Sequence, residues 1–393
     1  MIRSIRSNRA VVLAQLLCNA IKASAVLSLA FMFSPYSLVA AACSATVGAP
    51  ACAAQTDPGS ASASFLPSPY VANPIDVVTG NKYQHSDDYL GFGSRLQFSR
   101  HYNSVDSEER TVLGAGWRHS YDVTLKRSSP SRLLLKQSDG RILEFLVDEN
   151  SDTTYRARHS ADGYVEVAEL NRWNLSDGRV LSFKGSYLVE IAYPDNRELK
   201  LKYKNNRLES VTDHFERSIR LEYYSGKQTL GSYDETPDGI SAGDLQSLEL
   251  PDGSRISYQY DNLQNLTTVS YPEGTQSLYE YKDPDFTHHL TGANEALEST
   301  QKHWKYDQYG RAIQHTNDAA EFVVDIEFAP ASAQQTEQRT KVKTSDGWKA
   351  DYGWQHSNKI NLPIVTDYQE QACPTCKPTL KRFTEKSIAD WQP

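Results

Sequence analysis

The chain has 393 residues, 39% of them hydrophobic, and a formal net charge of −8. That charge excludes the basic stripe on which nucleic-acid binding depends, and a mean hydropathy of −0.58 fits a soluble, half-buried architecture better than a thick core. Tyrosine occurs 23 times and methionine twice, a usage that leans toward β-sheet, because tyrosine joins an apolar body to a polar tip.

Residues 1–42 are expected to be a secretory signal peptide. Arg3, Arg6, Arg9 and Lys22 precede an uncharged apolar stretch, no acid occurs before Ala42, and Ala40 to Ala42 supply small residues for cleavage. The apolar stretch is also about long enough to span a bilayer, so an uncleaved anchor is the alternative, with lipid attachment at Cys43 a third. Membrane contact is expected only through this segment, and the location is secreted, periplasmic or cell-surface. Residues 43–72, rich in Ala, Ser and Pro without periodicity, read as a linker. Cys18 leaves with the signal. Cys43 with Cys52, and Cys373 with Cys376, are two local pairs and candidates for disulfides in an exported chain. A redox role for "CPTC" would need a thioredoxin-like βαβ pattern. A zinc role would need two further ligands, and His356 is poorly placed to be one.

From Ser138 onward short alternating runs end on an aromatic residue: "SDGRILEF" at Phe145, "SDGRVLSF" at Phe183, "PDNRELKLKY" at Tyr203, "PDGSRISYQY" at Tyr260. From Tyr203 to Phe328 the aromatic ends recur at intervals of 20, 37, 21, 25 and 22 residues, the longest holding a Gly/Asp-rich insertion near 226–244. Each unit reads as a β-hairpin. Asp-Gly or Asp-Asn makes a tight turn, alternation buries one face, and units must stack because a lone hairpin is unstable. On this reading Asp261 and Asp307 accept hydrogen bonds within turns, Gly310 takes a conformation other residues resist, and Tyr260 and Tyr306 pack along the sheet. Arg311 completes the turn.

No catalytic, cofactor or metal site is expected. There is no His-Glu-x-x-His, Gly-x-Ser-x-Gly or phosphate-binding loop. "STQK" (299–302) lacks its partner motifs, and "DETPDG" (234–239) has Leu245 where a calcium loop needs a bidentate Glu. "THHL" (287–290), with His303 and His315, reads as scattered surface histidines rather than a metal cluster. Asp87-Asp88 and Asp283/Asp285 could serve a glycosidase as paired carboxylates, but turns account for both.

Tyr-Asp-x-x-Gly-Arg at Tyr306, Asp307, Gly310 and Arg311, with its weaker copy at Tyr260 and Asp261, resembles the YD repeat of RHS proteins. The preceding segment is similar to their N-terminal module: "NPIDVVTGNKYQHSDDY" (73–89), "LQFSRHYNS" (96–104), "LGAGWRHSYDVTL" (113–125). The resemblance implies an all-β fold, a YD-repeat hairpin array forming an extended, curled sheet that is part of an RHS shell. It divides the chain into the module (73–146), YD/RHS-like repeats (147–372), and a Cys-x-x-Cys tail with an incomplete repeat (373–393). In relatives the shell encloses a C-terminal toxin used against rival bacteria or host cells. This sequence shows no Asp-Pro-x-Gly self-cleavage motif and few YD units, so the expectation is a non-enzymatic scaffold, the front part of such a shell. Its expected partner is a downstream RHS fragment or toxin polypeptide. The alternative is a surface adhesin binding glycans through exposed aromatics such as Trp348 and Trp354.

Overall fold

Alternation along the chain becomes alternation of burial: in Arg255–Tyr260, Ile256 and Tyr258 are buried while Arg255 and Gln259 face solvent. The computed structural model describes residues 70–158, 160–224, 243–318, 322–330, 338–357, 362–372 and 377–382, all within one unit formed by Ala42–Pro393. The chain is all-β: among the described residues the helical content is two 3-10 turns, Ser104–Asp106 and Ser160–Asp162.

The first part of the chain forms small sheets. Strands β1 (Tyr70–Val71) and β2 (Ile75–Asp76) pair with each other. Strands β3 (Tyr83–Leu90), β4 (Gln97–Asn103) and β7 (Trp117–His119) make a three-stranded sheet, and β5 (Arg110–Thr111) pairs with β6 (Gly114–Ala115). We refer to these strands and their loops as the module.

One large antiparallel sheet follows, in which each strand pairs with the next. It opens with β8 (Thr124–Ser129), β9 (Arg132–Lys136), β10 (Ile142–Asp148) and β11 (Ser151–Ala157). Next come β12 (Tyr164–Glu166), β13 (Asn171–Asn174), β14 (Val180–Lys184) and β15 (Tyr187–Ala192). The sheet continues through β16 (Glu198–Lys204), β17 (Arg207–Asp213), β18 (Ser218–Tyr223) and β19 (Leu245–Glu249). Beyond lie β20 (Arg255–Tyr260), β21 (Leu266–Ser270), β22 (Gln276–Glu280), β23 (Gly292–Asn294), β24 (Lys302–Tyr306) and β25 (Ala312–Asn317). The last are β26 (Val323–Phe328), β27 (Gln338–Thr344), β28 (Lys349–Ser357), β29 (Leu362–Gln371) and β30 (Thr379–Arg382).

The sheet closes on itself near its start. Residues 190–192 of β15 pair with β16, but Tyr187 at its other end pairs with Thr124 of β8. Strands β8 to β15 therefore form a ring, and β15 is the fork from which the remaining array departs.

Curling has a local cause. The ladder slips by one residue immediately before Phe183, Tyr203, Tyr223, Tyr260 and Tyr306. A bulge bends its strand and increases twist, so a bulge at the same place in successive repeats winds the sheet. It also re-aims the aromatic. The hydroxyls of Tyr223, Tyr260, Tyr281 and Tyr306 donate to the carbonyls of Leu208, Leu245, Leu266 and Leu290, at 2.7–3.0 Å. Each repeat is thus tied to the backbone of the one before.

Candidate functional site: the seat of the module on the repeat sheet

Among the described residues nine hairpin turns share one geometry. The first residue's N–H donates to the fifth residue's carbonyl, and the fourth residue's N–H returns to the first carbonyl. The fourth residue always has positive φ: glycine at six positions, Asn196, Glu216 and Gln264 at the others. This is a type I turn followed by a left-handed bulge residue.

Two chemistries stabilise it. In the Ser/Pro-Asp-Gly turns the carboxylate is third, and Asp139, Asp177 and Asp252 accept the N–H two residues on. In three others it is first. Asp307 Oδ1 accepts from Tyr309 and Arg311 backbone N–H at 2.9 and 3.0 Å, and Oδ2 takes Arg311 Nε at 2.8 Å. Asp261 likewise receives the N–H groups of Leu263 and Asn265 and the Asn265 side chain, each at 2.9 Å. Asp213 does the same with Phe215 and Arg217.

In an antiparallel meander successive turns alternate between two edges. Seven of the nine turns join an odd to an even strand and share one edge. The two Tyr-Asp turns, 261–265 and 307–311, lie on the other. There the module sits on them. Ala115 N donates to Gln264 O at 3.1 Å, and Ala312 N donates to Gly80 O at 2.9 Å. A Cβ on Gly114 would stand 2.3 Å from Gln264 O, and one on Gly80 would stand 2.4 Å from Arg311 Cβ. The glycines of "VVTG" and "LGAG" are therefore the points at which module backbone lies directly on repeat turns.

Between these points runs a buried polar seam. Asp88 and Arg100, neither side chain accessible, pair at 2.7 Å. Asp88 also accepts from Tyr258 at 2.7 Å and Tyr271 at 2.9 Å, while Arg100 Nη1 donates to Tyr279 at 2.9 Å. Glu295 receives Gln84, Ser86, Ser277 and Tyr279. Burial would push the Arg100 guanidinium down, but the Asp88 charge and neighbouring phenols hold it well above its ordinary value. Burial, and then the Asp88 charge, push the Tyr258 phenol well up. Lys82, wholly buried, donates to the carbonyls of Asn73 and Tyr83 and to Gln84 Oε1, and faces the Trp304 ring at 4.1 Å. Burial pushes its ammonium down. The oxygens of Asp88 and Glu295 are engaged in holding module to sheet, and the chemistry of this arrangement is cohesion.

The other sequence candidates are placed as follows. Asp87 accepts from Ser99 and pairs with His85, and Asp283 Oδ1 accepts from the backbone of Asp285 and Phe286 as a turn former. Trp348 and Trp354 are half-buried and packed against the core. Cys43, Cys52, Cys373 and Cys376 lie outside the described residues. The histidines are a correction. His288, His289 and His315 are buried rather than on the surface, the first two because their loop on the Tyr-Asp edge folds under the module and His315 because it lies within β25 beneath Asn73; His303 is part-exposed and meets Asp318. Among the described residues no three His, Cys, Asp or Glu side chains gather as metal ligands.

A family model described as "Domain of unknown function (DUF6531)" matches residues 72–145, and one described as "RHS Repeat" matches residues 241–276. No curated protein matches the sequence. Among solved structures, the Photorhabdus luminescens Tc holotoxin pore is similar at 12% identity and a TM-score of 0.30, over 66% of this chain and 15% of that one. The crystal structure of TcdB2-TccC3 is similar at 10% identity and a TM-score of 0.23, over 77% and 22%. This chain therefore spans under a quarter of the length of either.

Proposed function

This chain is an RHS/YD-repeat protein, and from that premise we propose that it is an exported, non-enzymatic shell segment sealed by its own module. The observation that carries the reading is the seat: the module lies against the buried face of the curled sheet, with the seam's carboxylates engaged in structural bonds. On this reading the ring of β8 to β15 and the module form one end of a shell, and the array beyond β15 is wall. The content is a toxin polypeptide, as the RHS resemblance implies, and the chain reaches the periplasm or cell surface through residues 1–42.

Co-expression with the polypeptide encoded directly downstream tests this. The two should co-elute, and the downstream product should resist protease until the shell is unfolded. Absence of association, together with turnover of glycans from a hydrolysis panel, would sink the proposal. Export is checked separately: cell fractionation and N-terminal sequencing should find a product beginning near Cys43, and an intact cytoplasmic chain would refute it.

A further inference from the structure

Three buried histidines lie where the module meets the sheet, His288 and His289 in a loop on the Tyr-Asp edge and His315 within β25. His288 Nδ1 is 2.7 Å from Asn265 Oδ1, in the turn under Gly114. His289 Nε2 donates to Gly310 O at 3.2 Å, in the turn under Gly80, with its ring between Phe286 and Tyr306. His315 Nε2 is 2.9 Å from Asn73 Nδ2, at the start of the module. An amide nitrogen only donates, so this His315 nitrogen accepts and carries no proton. The carbonyl of the same Asn73 accepts from Lys82 Nζ. Protonating His315 would set donor against donor and place a second cation beside Lys82.

We propose that His315 is an acid-sensitive latch: when it takes up a proton, the module's first segment, residues 70–82, lifts from the 307–311 turn while the ring β8 to β15 stays folded. Burial favours the neutral form of all three rings; at His315 the neighbouring cations add to it against the His303 backbone hydrogen bond, while at His288 and His289 the nearby carboxylates oppose it. His315 faces Lys82, Lys302 and His303, and Trp304 covers one face of it. Around His289 stand Asp283, Glu108 and His288, and around His288 stand Glu108, Arg110 and Asp261. Burial first, then the Lys82 charge, lowers His315 from 6.5 to about 4, and burial lowers the other two as well. A histidine held below its unfolded value stabilises the closed form above about pH 6.5, and that stability is lost as pH falls toward the folded value.

Hydrogen exchange of the full chain at pH 7.5 and pH 5, corrected for intrinsic rates, tests this directly. With 6.5 open and about 4 closed, the opening constant for residues 70–82 should rise roughly 30-fold, while Leu133, Leu135 and Phe145 in the ring keep their protection. His315→Gln keeps an acceptor and cannot titrate, so its protection should stay flat between the two values. Unchanged protection of residues 70–82 in the natural chain overturns the latch, as does loss of protection everywhere at once. Equal acid loss in His315→Gln also overturns it. If that variant does not fold, the His315 ring resonance in the natural chain decides: titration near 6.5 refutes the proposal.

Discussion

At the scale of the residue, glycine does two different things. Gly253 and Gly114 both have positive φ, but a Cβ on Gly253 meets nothing within 4 Å, whereas one on Gly114 meets the Gln264 carbonyl at 2.3 Å. Gly253→Ala should therefore cost only the left-handed penalty, about 1–2 kcal/mol. Gly114→Ala should cost clearly more, because a backbone carbonyl must move. Urea unfolding of the two variants measures the difference, and equal costs would remove Gly114 from the seat. Asp162 gives the opposite sign to the latch. Burial raises it from 3.8 to about 6, so the folded state holds a proton that the unfolded state releases between those values, and stability falls as pH rises through that window. Asp162→Asn should stabilise the protein above pH 6 by at most about 3 kcal/mol, with no gain below pH 4. Melting temperatures of both proteins across pH 3.5–8 would show it.

At the scale of the element, the Asp88–Arg100 pair joins β3 and β4 to tyrosines of β20 and β22. Removing one partner of a buried pair costs about 3–5 kcal/mol, so Arg100→Ala should lower the unfolding free energy by about that much. A loss under 1 kcal/mol, by chemical denaturation, would show that the seam contributes little. The hairpins were legible because turn and strand chemistry is local: Asp307, Gly310 and alternation around Ile256 and Tyr258 suffice. The seam was not. Its hydrogen-bond partners are separated by up to 211 residues, and Asp88 looks like a turn acid until Tyr271, 183 residues on, is known to reach it. The buried histidines escaped for the same reason, since a polar pair in a loop gives no local sign that another part of the chain will cover it.

At the scale of the whole molecule, the module touches the ring at Lys136 and Asp139, and its contacts with the array beyond the ring run from Asp195, paired with Arg95, to His315, paired with Asn73. Strands between those points are bonded along both edges and covered on one face. Backbone amides of β19 to β25 should accordingly exchange more slowly than those of β27 to β29, as native-state hydrogen exchange followed by mass spectrometry would reveal; uniform protection would mean the module adds nothing to the sheet beneath it. The curled array could be anticipated from repeated units with nowhere else to bury their faces. Ring closure could not, because it rests on Thr124 meeting Tyr187, two positions with no distinguishing residue type.

The fork at β15 gives the molecule an origin and a direction of growth. The ring is complete at β15, so strands added past β25 change only the wall's length. Because the Tyr-Asp turns must stay on the edge where the module waits, the number of strands between the ring and Tyr306 can change only in steps of two. An odd insertion upstream of Tyr306 would carry its turn to the wrong edge and leave Gly80 facing empty solvent.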